Sequence, residues 1–170
     1  SMVILLLILW HFLGQKRAED LNNRVFLFFA VLGTADVVAE FFTNYYITSY
    51  NSDMENAAVI VTTIFYLLQA LLPVTFIFYI QTLHEQKIIS AKKMFISGVP
   101  TLVLISVILT NPFTEKLFSF DVTAGYVKGP WYLLMYVSAL GHFAVALLLI
   151  LLWRKKLGPQ KEKILLEIFV

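Results

Sequence analysis

Long apolar stretches, broken at intervals by charged connections, constrain this chain more than any other feature. Ala57 to Leu83, for example, carries no Asp, Glu, Lys or Arg. In a bilayer every backbone N–H and C=O must find its partner within the protein, and stretches of this kind satisfy that need as helices. The fold class is therefore all-α, a polytopic transmembrane helix bundle. Composition agrees: only 14% of the 170 residues are charged, where a soluble domain carries about a quarter. With no cysteine, disulfides, thiolate chemistry and Cys-ligated zinc are excluded.

About five spanning segments can be drawn: 2–13, 25–46, 57–83, 94–110 and 131–153, with the start of another helix at 164. The first is short of the roughly 20 residues a span requires, and it lacks the basic flank and cleavage site of a signal peptide. Both ends are therefore expected to be truncated, in a single domain covering residues 1–170. Pro73 and Pro100 fall inside the third and fourth segments and are hinge candidates, because proline removes a helical hydrogen bond. The connection 111–130 is long and not simply polar. Its Phe113, Leu117, Phe118, Phe120, Val122, Tyr126 and Val127 need cover, so it is expected to fold back over the mouth of the bundle.

Placement of the basic residues gives an orientation. Of the 13 Lys and Arg residues, only Lys116 and Lys128 lie outside three places: before the second segment, between the third and fourth, and after the fifth. The positive-inside rule puts those three places in the cytoplasm. The chain is thus expected to be a multi-pass protein of the cell inner (plasma) membrane, with its N-terminus and the loop 111–130 outside and the stretch after Trp153 inside.

Two acids, Asp36 and Glu40, interrupt the second segment. A carboxylate at bilayer depth costs several kcal/mol unless it is paired, hydrated or protonated. At i,i+4 spacing the two share a helix face, and Asn44 continues it. That face is expected to turn toward other helices. It reads either as a site for a cation or protonated ligand, or for proton exchange, or as a polar knot in which Asp36 accepts hydrogen bonds from Thr62, Thr63 or Gln69. Gln69, one turn before Pro73, and His142 in the fifth segment complete the candidate ligand-binding set of Asp36, Glu40, Asn44, Gln69 and His142. Catalytic and phosphate-binding motifs are not found, and His11, His84 and His142 have no metal-ligand spacing. The chain is expected not to be an enzyme and to need no cofactor or metal; neither does it suggest a nucleic-acid partner.

The stretch Asn111-Pro112-Phe113-Thr114, then Leu117 to Asp121, Gly125-Tyr126 and Gly129-Pro130 resembles the extracellular signature of a known group. These are the N-terminal multi-helix (seven-helix-type) membrane sensor regions of bacterial histidine kinases and GGDEF diguanylate cyclases. Asn23-Arg24-Val25-Phe26, with Asp36 farther along, is similar as well, whereas Glu40 is an addition to the pattern. The resemblance implies a motif of Asn111, Pro112, Phe120, Asp121, Tyr126, Gly129 and Pro130, and a short strand after the Asn-Pro pair. It implies a sensory input domain for two-component or cyclic-di-GMP signalling, with an unidentified small ligand in the outer half of the bundle. The implied partners are the lipid bilayer, a second copy in a homodimer, and a cytoplasmic output domain beyond Val170. A small-molecule or ion-coupled transporter using Asp36 and Glu40 is the alternative.

Overall fold

The computed structural model describes residues 21–85 and 91–157. In order these form α1 (Leu21–Thr48), a 3-10 turn (Ser52–Met54), α2 (Glu55–Glu85), α3 (Ala91–Thr114), β1 (Phe118–Asp121), β2 (Gly125–Lys128) and α4 (Leu133–Leu157). Among the described residues four helices are long and apolar enough to cross a membrane. The expected segment 2–13 and the helix start at 164 lie outside the described residues. Large apolar side chains such as Phe28, Phe41, Ile60, Val103, Leu140 and Leu152 stay exposed. A water-soluble protein rarely displays apolar surface on this scale, whereas lipid accepts it freely.

Helix α2 is the hub. It packs against α1, α3 and α4, while α3 and α4 touch each other far less. Helices α1 and α2 run antiparallel, joined by the turn in which the Asn51 carboxamide accepts from the Met54 N–H (3.1 Å). Phe26 meets Tyr79, Phe29 meets Phe76, and Gly33 lies opposite Leu72. Polar cross-links between the described helices are sparse. Gln81 donates to Ser97 Oγ (3.2 Å), tying α2 to α3, and Thr101 bonds His142 Nε2 (2.9 Å), tying α3 to α4.

Helix α3 does not stop at Thr110. It runs through Asn111-Pro112 to Thr114, so the Asn-Pro pair closes the helix from within rather than opening the loop. Pro112 only forfeits a donor, and the last turn is held by Thr114 Oγ1 donating to Thr110 O (3.1 Å) and Glu115 N–H to Asn111 O (2.8 Å). Glu115 then adopts φ 51°, the left-handed geometry that ends many helices.

Beyond it β1 and β2 form an antiparallel hairpin with Phe120 opposite Tyr126 and Asp121 opposite Gly125. The strand implied by the resemblance is present. Alternation turns Phe118 and Phe120 inward, where Phe118 meets the Tyr66 ring (5.4 Å between centroids) and Phe120 stacks on Tyr50 (5.0 Å). The hairpin is thereby laid over the end of the bundle where α1 passes to α2. A buried cluster including Ala58, Tyr66, Leu104, Ile108, Leu117, Phe118 and Met135 fuses it to the helices.

Candidate functional site

Beneath the hairpin, α1, α2 and α4 bound a cleft of about 410 Å³. Its lining includes Asp36 from α1, Phe65, Tyr66, Gln69 and Pro73 from α2, Leu104 from α3, Tyr132 just before α4, and Tyr136 and Ser138 within α4. The antiparallel register of α1 and α2 brings Asp36 to the level of Gln69. Asp36 Oδ1 is buried and accepts no hydrogen bond from any described residue. The expected polar knot is therefore not made: the Thr63 hydroxyl bonds Val59 O (2.7 Å), and the buried Thr62 hydroxyl has no partner among the described residues. A buried polar atom without a partner costs on the order of 1–3 kcal/mol, more when it is charged.

The structure brings together only part of the predicted set. Asp36 and Gln69 share the cleft, with Pro73 beside them. Glu40 and Asn44 are exposed and do not line it. A step of four residues overshoots the helical turn by about 40°; Ala39 and Thr43 take the buried positions, and Glu40 is left exposed. His142 is also absent from this cleft. It is buried one turn farther along α4 from Ser138, with Nδ1 bonded to Ser138 O (2.7 Å) and Nε2 to Thr101 Oγ1 (2.9 Å). With Nδ1 donating to the carbonyl, Nε2 is left to accept from threonine, so both ring nitrogens are satisfied in the neutral form. Pro100 lies in an unbroken α3 and borders a separate, nearly apolar groove between α3 and α4. Among the described residues no three His, Cys, Asp or Glu side chains gather as a metal site.

The loop motif builds the hairpin itself. Asn111 is almost fully buried: its Oδ1 accepts from the N–H groups of Leu117 (2.7 Å) and Phe118 (3.3 Å), and its Nδ2 donates to Phe118 O (2.9 Å). Gly129 is obligatory at its place, since a Cβ there would lie 2.3 Å from the Lys116 carbonyl oxygen. Asp121 Oδ1 accepts from the Thr123 hydroxyl and from the N–H groups of Thr123 and Ala124, closing the turn. These bonds, the Thr123 hydroxyl foremost, hold its carboxyl below the usual range. Phe120 packs inward, while Pro112, in the last turn of α3, and Pro130, after β2, are exposed.

Of the tyrosine group between hairpin and cleft, sequence reading named Tyr126 in the loop motif but missed Tyr66, Tyr132 and Tyr136. The Tyr126 hydroxyl on β2 bonds that of Tyr66 on α2 (2.5 Å), and Tyr132 bonds Tyr136 (3.2 Å). Burial pushes the Tyr126 phenol up to about 12; the Tyr66 hydrogen bond works against that rise, and Tyr132 and Tyr136 add to it. Lys128 sits 4.5 Å over the Tyr132 ring. In sequence these tyrosines are indistinguishable from the aromatic belt that membrane spans carry near their ends. Only the i,i+4 spacing of Tyr132 and Tyr136 hinted at a common face.

Comparisons with protein families, with curated proteins and with solved structures find no match. What the fold establishes is a largely apolar membrane-type helix bundle, not membership of the sensor-region family.

Proposed function

We propose that this chain is the membrane-embedded input part of a bacterial signalling protein, which holds a small ligand in the Asp36 cleft and relays its presence to a cytoplasmic output domain. One observation supports this best: Tyr66 lines the cleft and is bonded to Tyr126 of the hairpin. A ligand in the cleft touches a side chain that also fastens the roof. A signal arises if the ligand binds the fastened and unfastened arrangements with different affinity. Helix α2 touches every other described helix, so a shift at Tyr66 reaches each of them and, in a homodimer, the neighbouring copy. The alternate distribution of basic residues supports an orientation with the hairpin outside and the opposite end in the cytoplasm.

The test is thermal unfolding of the protein in lipid nanodiscs against a diverse panel of small molecules, repeated on Ala139→Phe. Ala139 lines the cleft, and the larger ring is expected to narrow it. Compounds that raise the melting temperature of the parent and not of the variant support a ligand cleft. If no compound distinguishes the two proteins, the proposal falls. A transporter, the alternative, drew on Asp36 and Glu40 acting together, and only Asp36 lines the cleft.

A further inference from the structure

We infer that the ligand of this cleft is a small protonated amine, its ammonium group set between the Asp36 carboxylate and the backbone carbonyl of Gln69. The inference rests on the reading of the cleft as a ligand site and names the chemistry that fits it. Asp36 is the one carboxylate in the lining, and no Lys, Arg or His accompanies it. Its Oδ1 is buried without a hydrogen-bond donor among the described residues. At membrane depth such a group calls for a positive charge that can also donate.

A second acceptor lies at the same level. Pro73 has no N–H, so the carbonyl of Gln69, four residues earlier, lacks its usual helical donor. Both residues line the cleft, and the α1–α2 register sets Gln69 level with Asp36. Two hungry oxygens select a group bearing N–H donors over one bearing charge alone. The remaining lining suits the organic part of such a molecule. Phe65, Tyr66 and Tyr136 supply ring faces, and an ammonium is attracted to such faces. Lys128 over Tyr132 shows the same attraction within this tyrosine group, from the hairpin side and outside the cleft lining. A divalent metal is a poorer fit, since no cluster of three ligating side chains exists among the described residues. The volume, about 410 Å³, is that of an ordinary small-molecule pocket.

The experiment compares three probes on one phenethyl frame in nanodiscs of zwitterionic lipid: phenethylamine, phenethyl alcohol and trimethylated phenethylammonium. Binding is read by calorimetry and by thermal unfolding. The amine is expected to bind and the alcohol not. Asp36→Asn is expected to weaken the amine by about a hundredfold, as loss of a buried charge partner does. Pro73→Ala returns a donor to the Gln69 carbonyl and is expected to weaken the amine by about tenfold, and more than it weakens the trimethylated probe. Alcohol binding as tight as the amine, and indifferent to Asp36→Asn, overturns the amine and leaves the ligand cleft standing. A trimethylated probe that binds as tightly as the amine overturns the placement at the Gln69 carbonyl. No binding by any probe, with hits from the diverse panel still blocked by Ala139→Phe, overturns the amine alone; no hits anywhere overturn both readings. Should Asp36→Asn fail to fold, the amine–alcohol comparison on the parent protein decides.

Discussion

Asn111 carries the hairpin on a single side chain. Its amide replaces three backbone partners that the chain loses on leaving α3, and it does so in a place closed to water. Asn111→Ala leaves the Leu117 and Phe118 N–H groups buried and unmet, and is expected to cost about 2–4 kcal/mol. Gly129→Ala drives a methyl into the Lys116 carbonyl and is expected to cost about 1–3 kcal/mol. Chemical unfolding in detergent measures both, and hydrogen exchange localises the loss: hairpin amides lose protection while α1 and α2 keep theirs. Unchanged exchange at the hairpin in either variant would contradict these roles. At this scale sequence reading found the residues but not the reason. The Asn-Pro and Gly-Pro pairs stood out as punctuation, yet Asn111 works through atoms six and seven residues away, and Gly129 through a carbonyl thirteen residues back. Neither separation leaves a periodic trace.

Among the elements, the hairpin is the one whose hold on the bundle depends on pH. In the folded protein the Tyr126 phenol keeps its proton up to about 12, above the value of about 10 for a free tyrosine. A raised folded value means that the contribution to stability is complete below about pH 10 and is lost as pH climbs toward 12. Hairpin amide protection is therefore expected to fall across that interval, and Tyr126→Phe to flatten the fall. Asp121 works in the opposite sense. Its lowered carboxyl supports the turn above the free carboxylate range, and the support is lost in acid. The helices were easier to read than the hairpin, because apolar length alone announces a span. The strands are four residues each, and their pairing shows only when Phe118, Phe120 and Tyr126 are seen to face one way. The cleft was half legible. Asp36 and Gln69 were visible as polar residues in apolar runs; the exclusion of Glu40 and His142 depends on helix rotation and depth, which a four-residue spacing does not fix.

For the whole molecule, orientation is the first thing to establish, and the absence of cysteine makes the measurement clean. Single substitutions Val122→Cys, at the exposed hairpin tip, and Lys87→Cys, in the connection before α3, are expected to react with an impermeant thiol reagent from opposite sides of the membrane. Labelling of Val122→Cys in intact cells supports the hairpin outside; labelling of Lys87→Cys instead reverses the whole arrangement. The hub position of α2 also bears on how the protein comes into being. Helices α1 and α2 are neighbours in sequence and pack against each other as soon as both are in the bilayer. The third wall of the cleft belongs to α4, the last described helix to leave the ribosome. During synthesis Asp36 thus waits with one wall of its pocket missing, and its charge stays uncovered until α4 docks.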